Sequence, residues 1–234
     1  MPEAEAAIDE ALAVAPSYHH AHARKIWYLM GYRNDLAAAR AQLEKAPSAY
    51  YTQEAFALMA GIVWLYSREP AKCLEALRAV SDYPQGSTIY EGPKAYLTGM
   101  AQRMMGNAEA ARSDWRTALR VVEQRLTQQP NGSDLLEWKA CLLAALGEHV
   151  AAEPLLREIR QRVSTGDEEL SEFSVAEILM LMGKSDDALA TLEELLASRR
   201  SDPPSTSLRY NPLWDPLRGN PRFEALLKVA EPKK

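Results

Sequence analysis

The stretch that decides the fold runs from residue 92 to residue 118 and reads GPKAYLTGMAQRMMGNAEAARSDWRTA. Ala111, Trp115 and Ala118 stand at positions i, i+4 and i+7, which places their side chains on one face of a helix. Gly106 lies five residues before Ala111, where it can end a preceding helix in a tight turn. The stretch therefore predicts two helices joined by a short turn, with small side chains that allow close packing.

The same small–bulky–small spacing occurs six times along the chain. Successive instances start 35, 34, 38, 41 and 36 residues apart, a period typical of repeated helix pairs. The instances are Ala4/Ile8/Ala11, Ala39/Leu43/Ala46, Cys73/Leu77/Val80, Ala111/Trp115/Ala118, Ala152/Leu156/Ile159 and Ala188/Leu192/Leu195. A predicted turn residue stands five positions before each of the last five: Asn34, Arg68, Gly106, Gly147 and Gly183. Another helix is predicted before each turn, over residues 18–32, 52–67, 92–105, 133–146 and 168–182.

This organisation resembles the tetratricopeptide repeat, and the resemblance covers about residues 1–200. The motif is matched best by Gly99, Gly106, Ala111, Trp115 and Ala118. The early tryptophan of the repeat is missing from most units, and Pro16 is the only clean closing proline. The resemblance implies an all-α fold, a right-handed α-solenoid of helix-turn-helix repeats with a short C-terminal capping helix. A non-repetitive helical bundle is the alternative, which we disfavour because one pair cannot bury its apolar face alone, whereas stacked pairs can.

The first predicted helix, residues 3–15, matches the second helix of a repeat and carries an apolar stripe. The stripe consists of Ala4, Ile8, Ala11 and Leu12. Since a solenoid end normally presents a polar face, two explanations remain open. Either the chain is a fragment of a longer protein, which we favour, or the stripe packs forward onto the next helix pair. An exposed stripe would also offer a contact for a homodimer.

Residues 201–234 differ in composition from the repeats and are predicted to be a linker followed by a capping tail. The linker is SDPPSTS, residues 201–207. Three pairs each offer a capping side chain before a proline at the first helical position: Asn211-Pro212, Asp215-Pro216 and Asn220-Pro221. We expect two short turns and then a helix that places Phe223, Leu226 and Leu227 on one face.

Residues 214–223 resemble a tail that closes bacterial tetratricopeptide arrays. Such arrays often follow a protein kinase, a nucleotide cyclase or a winged-helix DNA-binding domain. The alternative interpretation is a plain capping element, in which Trp214 and Phe223 cover the last helix pair. The resemblance concerns the domain context of the chain and implies no chemistry.

Composition argues against several classes of protein. The net charge of −5 disfavours nucleic-acid binding, which needs a concentrated basic surface. The longest apolar run, residues 55–66, is far shorter than the roughly 20 residues of a membrane span. Cys73 and Cys141 lie among apolar residues and are interpreted as reduced core thiols, and the acidic N-terminus lacks the basic start of a secretion signal. We therefore expect a cytoplasmic protein that binds neither nucleic acid nor membrane.

Candidate catalytic and metal-binding groups have simpler interpretations. His19 and His22 have a spacing that suits a metal on a helix, but no third ligand lies nearby in the sequence. The acidic pairs at residues 168–169 and 186–187 are interpreted as helix starts, where negative charge complements the helix dipole. General acid–base catalysis needs a carboxylate in an apolar pocket, and the sequence indicates none. We expect no cofactor, no metal and no enzymatic activity.

The remaining candidate site is a groove. By the resemblance, the first helix of each pair lines a concave surface. The residues predicted to line a peptide-binding groove are Arg24, Tyr28, Tyr32, Met59, Ile62, Tyr66, Tyr96, Met100, Arg103, Trp138, Phe173 and Glu177. This set is aromatic and methionine-rich, basic at one end and acidic at the other, which suits an adaptable protein-binding surface. The alternative is that tighter winding buries these residues as core.

These observations predict a non-catalytic protein-interaction, scaffold or sensory module, the C-terminal region of a larger bacterial signalling or regulatory protein. The expected partner is a protein or peptide segment, or another domain of the same parent chain. Self-association through the N-terminal stripe is the alternative. An enzyme is the least favoured of the three hypotheses.

Overall fold

The computed structural model describes residues 2–84, 90–166, 171–198 and 205–230. Within these ranges the chain is helical and contains no strand, which confirms the all-α prediction. The helices are α1 (Pro2–Val14), α2 (His19–Gly31), α3 (Leu36–Glu44), α4 (Glu54–Tyr66), α5 (Pro70–Ala76), α6 (Lys94–Met104), α7 (Ala108–Gln128), α8 (Ser133–Leu146), α9 (His149–Ser164), α10 (Glu172–Leu181), α11 (Ser185–Ser198), α12 (Ser205–Tyr210) and α13 (Pro221–Val229). Three 3-10 helices cover Ser48–Thr52, Leu77–Ala79 and Pro212–Leu217.

The described residues divide into two compact units, residues 2–107 and residues 108–230. The predicted boundary near residue 200 and the acidic pair at residues 168–169 lie outside the described ranges. The other predicted acidic pair, Asp186 and Asp187, does occupy the first turn of α11.

Each unit is built by the same rule of helix contacts. In the first unit, α2 packs on α1, α3 and α4, and α4 packs on α3, α5 and α6. In the second unit, α8 packs on α7, α9 and α10, and α10 packs on α9 and α11. The first helices α2, α4 and α8 thus each contact both their own partner and the first helix of the next pair within the unit.

All the residues predicted as helix-to-helix turns have positive φ, which confirms their predicted positions. The φ angles are 50° at Asn34, 62° at Arg68, 79° at Gly106, 81° at Gly147 and 74° at Gly183. Glycine adopts this left-handed region without strain, and asparagine tolerates it better than most residues do. Arg68 is the exception, since its side chain makes the conformation costly.

The repeated small position is buried in each of the last five instances, as the spacing predicts. Ala39, Cys73, Ala111, Ala152 and Ala188 are all 0% exposed. The bulky residue that follows each is also buried, and Trp115 among them is 4% exposed. The first instance differs, since Ala4 and Ala11 are exposed and Ile8 is only half-buried.

Gly61 lies in α4 where this helix packs against the 3-10 helix Leu77–Ala79. A Cβ at Gly61 would lie 2.6 Å from Leu77 Cδ2 and 2.8 Å from Leu77 Cγ. Gly61→Ala is therefore expected to lower the free energy of unfolding by about 1–3 kcal/mol, because the buried Leu77 side chain must shift. Urea denaturation followed by circular dichroism measures the change.

Gly31→Ala is the matched control for this substitution, because only the Trp27 ring, at 3.9 Å, lies near a Cβ there. We expect Gly31→Ala to be neutral or to stabilise the protein by less than about 1 kcal/mol. Equal destabilisation by both substitutions would show that close packing at Gly61 is not the cause.

Arg68→Gly is expected to raise the free energy of unfolding by about 0.5–1 kcal/mol, because the left-handed conformation costs a non-glycine residue more than glycine loses in chain entropy. Arg68 Nη1 also donates a hydrogen bond to the carbonyl oxygen of Tyr66 at 2.8 Å. Arg68→Ala keeps the strain and removes this bond, so it should be no more stable than the wild type. Thermal midpoints of the three proteins decide between relief of strain and loss of the bond.

The C-terminal tail begins earlier than predicted. Residues 205–207, predicted as linker, form the start of α12, in which Thr206 and Leu208 are buried. The Arg218 guanidinium stabilises the end of α12, since Nη2 donates to the carbonyl oxygens of Leu208 at 3.1 Å and Arg209 at 2.5 Å. Arg218 lies outside the predicted linker, so the composition of the linker does not indicate that its last residues begin a helix.

Two of the three predicted caps are present in the tail. Asn211 Oδ1 accepts from Leu213 N at 3.0 Å, and Asn220 Oδ1 accepts from Arg222 N at 2.9 Å. The prediction for Asp215 was wrong, because this residue lies inside a continuous 3-10 helix. The last helix, α13, buries Phe223, Leu226 and Leu227, as predicted.

Candidate functional site

The structure places half of the predicted groove residues in the core of their units. Tyr28, Met59, Ile62, Tyr96, Met100 and Phe173 are each no more than 8% exposed. The prediction that they line an open surface is corrected for these six, because neighbouring helices cover them. Side chains with so little accessible surface contribute to stability and offer little to a ligand.

The other predicted groove residues keep accessible surface. Arg24, Tyr32 and Arg103 are exposed, and Tyr66, Trp138 and Glu177 are half-buried. Four of them belong to the first unit and two, Trp138 and Glu177, to the second. The candidate surface is therefore narrower than the sequence predicted and is described separately for each unit.

In the first unit, Tyr32 is held in an aromatic cluster on α2. Its ring meets the Trp27 ring edge-on at 4.7 Å and lies 5.7 Å from the Tyr28 ring. The Arg24 guanidinium lies over the Trp27 ring, 5.1 Å from the ring centroid. Tyr32 remains 41% exposed, so the cluster presents an oriented aromatic side chain to solvent. Trp27 was absent from the predicted site, because its phase differs from that of the groove positions.

Positive charge dominates the first helices of this unit. Helices α2, α4 and α6 contain Arg24, Lys25, Lys94 and Arg103, against a single acidic residue, Glu54. Carboxylates of α1 form ion pairs with some of the basic side chains of this unit. Lys25 Nζ lies 3.0 Å from Glu5 Oε1 and 2.9 Å from Asp9 Oδ1, and Arg33 Nη1 lies 3.2 Å from Glu5 Oε2.

These contacts shift the pKa values of Glu5 and Lys25 in the directions that favour their charged forms. The hydrogen bond from Lys25 lowers the pKa of Glu5, so the carboxylate form is favoured. Burial alone would lower the pKa of Lys25, but its hydrogen bonds to Asp9 and Glu5 raise it overall. The basic surface of α2 thus already binds carboxylates contributed by the same chain.

In the second unit, the corresponding helices α8 and α10 carry Asp134, Glu137, Glu172 and Glu177 against one basic residue, Lys139. Glu137 Oε1 accepts a hydrogen bond from Ser171 N at 3.0 Å, at the start of α10. Burial, with the nearby charge of Glu137, raises the pKa of Glu177 from 4.5 to about 8. Burial and the same two glutamates raise the pKa of Cys141 well above its usual value. The sequence indicated no carboxylate in an apolar setting, so Glu177 corrects that interpretation.

The described residues give little support for a metal site or for a nucleophilic cysteine. They contain no group of three or more His, Cys, Asp or Glu side chains that could hold a metal ion. His22 Nε2 lies 2.8 Å from the Pro16 carbonyl oxygen, and Gln42 Nε2 lies 3.1 Å from His22 Nδ1. Burial raises the pKa of Cys73 to about 12, so this thiol stays protonated and unreactive at neutral pH.

The second unit also has an open apolar groove between α11 and α13, with a volume of about 560 Å³. Its lining residues include Leu196, Ala225 and Val229, together with Arg222. The Arg222 guanidinium forms two hydrogen bonds to Glu193, from Nε at 2.8 Å and from Nη2 at 2.7 Å.

Comparison of the chain with protein-family models, curated proteins and solved structures found no match. None of the helices formed by the described residues is long and apolar enough to cross a membrane.

Proposed function

We propose that the chain is a non-catalytic protein-interaction module, built as a right-handed solenoid of tetratricopeptide-like helix pairs. The contact rule within each unit supports this proposal, because first helices contact one another in succession as they do in a stacked array. The positive φ at each turn and the buried small residue after it support a common repeat.

The binding surface we propose is the exposed part of the first helices. The observation that carries this proposal is the accessible set of Arg24, Tyr32, Tyr66 and Arg103, which lie on α2, directly after α2, on α4 and on α6. Tyrosine and arginine are favoured anchors of protein interfaces. Because the helices are held by their own cores, a peptide bound there would cost the protein little ordering.

The context we propose is a cytoplasmic bacterial signalling or regulatory protein, of which this chain forms the C-terminal part. The partner would be a protein or peptide segment, including another domain of the same parent chain. This context rests on the resemblance of residues 214–223 to the tail that closes bacterial tetratricopeptide arrays.

A random peptide library displayed on phage and selected on the full chain tests the binding surface. Peptides that bind should lose affinity at least about tenfold for the double variant Tyr32→Ala/Tyr66→Ala, because truncated hot-spot aromatics typically cost 2 kcal/mol or more. Val150→Ala is the control, since this valine is 91% exposed on α9 in the second unit. If the selected peptides bind the wild type and Tyr32→Ala/Tyr66→Ala with equal affinity, the first-helix surface is not the binding site.

Self-association through α1 is the second candidate function. Val14 is 81% exposed, and Ala4 and Ala11 are exposed on the same helix. Sedimentation equilibrium of the wild type and of Val14→Glu tests this candidate. A concentration-dependent mass that Val14→Glu abolishes would support it, whereas a monomeric wild type would exclude it.

An enzyme is our third candidate. A carboxyl group with a raised pKa, such as Glu177, is common in active sites. The neighbouring Cys141 thiol is held protonated, however, so this cluster lacks an activated nucleophile.

A further inference from the structure

Three side chains at the ends of consecutive first helices form a row on the first unit. Tyr32, Tyr66 and Met104 each stand two residues before the turn that ends their pair's first helix. Since α2 packs on α4 and α4 packs on α6, we infer that these three helix ends lie side by side. Tyr32 is exposed, and Tyr66 and Met104 are half-buried, so the row remains accessible to a ligand.

An arginine accompanies each member of this row. Arg33, Arg68 and Arg103 lie within three residues of the same turns, and all are exposed. The equivalent row positions of the second unit hold Ala145 and Leu181, so aromatic side chains at this place are a property of the first unit.

Arg68 occupies a position where its backbone is strained. Its φ of 62° lies in the left-handed region, which the equivalent turns at Gly106, Gly147 and Gly183 reach with glycine and the turn at Asn34 with asparagine, a residue that tolerates it. Strain kept at one member of a repeated set points to a use for the side chain. The chain tolerates the cost of arginine where glycine would be more stable.

One arginine of this set, Arg33, already pairs with a carboxylate of the same chain. Glu5 of α1 forms ion pairs with both Lys25 and Arg33. Guanidinium and ammonium groups beside aromatic rings here meet a carboxylate that belongs to a helix with no basic residues. Acidic chemistry is thus complementary to this part of the first unit.

We propose that the row of Tyr32, Tyr66 and Met104, with Arg33, Arg68 and Arg103, binds an acidic, extended segment of another protein. This inference rests on the proposed function, and it names the partner's chemistry. Packed helices lie about 8–10 Å apart, which matches about three residues of an extended polyproline II chain, in which every third side chain lies on the same face. The segment would therefore present an apolar side chain at every third residue to the row, with carboxylates between them facing the arginines.

Synthetic peptides test the proposed chemistry on the full chain. The probe is a fluorescein-labelled peptide of repeated Glu-Phe-Ser triplets. Two labelled peptides serve as comparisons: one of repeated Lys-Phe-Ser triplets, and one with the composition of the probe in scrambled order. Fluorescence anisotropy should show tighter binding of the ordered acidic peptide than of either other peptide. Its affinity should fall as salt is raised, because exposed ion pairs are screened.

Arginine variants separate a binding role from a structural one. Arg68→Gly/Arg103→Ser should weaken binding of the acidic peptide about tenfold, since each exposed ion pair contributes up to about a fivefold change. Arg78→Ser is the matched control, because Arg78 is exposed on the 3-10 helix Leu77–Ala79, away from the row. Arg68→Gly alone should weaken binding while raising the thermal midpoint, a combination that a purely structural role for Arg68 would not produce.

The outcomes distinguish this inference from the proposed function. Binding of all three peptides with similar affinity, reduced by Tyr32→Ala/Tyr66→Ala, would overturn the acidic partner and keep the surface. Unchanged binding of the acidic peptide by the double arginine variant would also overturn the inference. If no peptide binds and no library peptide is selected, both the inference and the proposed function fail.

Discussion

Trp214→Ala is expected to lower the free energy of unfolding by about 3–5 kcal/mol, the usual cost of removing a large buried aromatic side chain. Trp214 is 0% exposed, and its ring lies 5.6 Å from the Phe173 ring of α10 and 6.2 Å from the Phe223 ring of α13. The side chain therefore joins the tail to the last helix pair of the second unit. Its loss would leave a cavity lined by both rings.

Trp214→Phe provides the sharper comparison. Trp214 Nε1 is buried and has no hydrogen-bond partner among the described residues. Phenylalanine removes this unsatisfied donor, which by itself relieves about 1–3 kcal/mol, while keeping most of the ring contacts. We expect Trp214→Phe to change stability by less than about 1.5 kcal/mol, because relief of the unsatisfied donor offsets much of the cost of the smaller ring.

Urea denaturation followed by circular dichroism measures both Trp214 variants. Trp138→Ala is the control, because Trp138 is half-buried on α8 and lies outside the contact between tail and repeats. If Trp214→Ala lowers the free energy of unfolding by no more than Trp138→Ala does, the tail does not stabilise the second unit.

The second large effect concerns Glu177 and depends on pH. The folded protein holds the Glu177 proton up to a pKa of about 8, whereas the ordinary value is 4.5. Between these pH values the folded state binds more protons than the unfolded state, so stability falls as pH rises. The stabilising contribution of the protonated form is complete below pH 4.5 and is lost as pH rises through about 8.

Glu177→Gln should remove this pH dependence, because glutamine keeps the shape of the protonated acid and never ionises. The variant should exceed the wild type in stability at pH 9 by about 2–4 kcal/mol, given about 1.4 kcal/mol for each unit of pKa change. At pH 4 the two proteins should be nearly equal. Urea denaturation at a series of pH values measures the difference.

Glu194→Gln is the matched control for Glu177→Gln, since Glu194 is exposed on α11 in the same unit. Its stability should follow the wild-type pH profile. Parallel profiles for the wild type and Glu177→Gln would mean that the carboxyl group of Glu177 is better solvated than its raised pKa implies.

The helix pairs and their turns follow from local sequence. Ala111 and Trp115 share a face because of the helical period, and Gly147 adopts a positive φ because it lacks a Cβ. Both properties depend on residues that are near one another in the chain. The burial of the small positions was predictable for the same reason, since the period identifies the face that packs.

The accessible part of the candidate site was not predictable in this way. Met59 and Tyr66 both lie on α4 at predicted groove positions, yet Met59 is 1% exposed and Tyr66 is half-buried. Their exposure depends on how closely α2 and α6 approach α4, which side-chain periodicity does not specify. Resemblance to a repeat indicates which helix carries a surface, and only packing decides which side chains remain on it.

The sequence by itself determined the all-α class, the turn positions and the buried face of the second helices after α1, because these depend on contacts within about one helical turn. Tertiary structure alone decided the electrostatics of Glu177, whose pKa responds to burial and to Glu137 on another helix. It also decided that Arg33 meets Glu5 and that Trp214 lies between two phenylalanines. Burial and charge interactions act through space, so residues far apart in the chain set them only after the helices have packed.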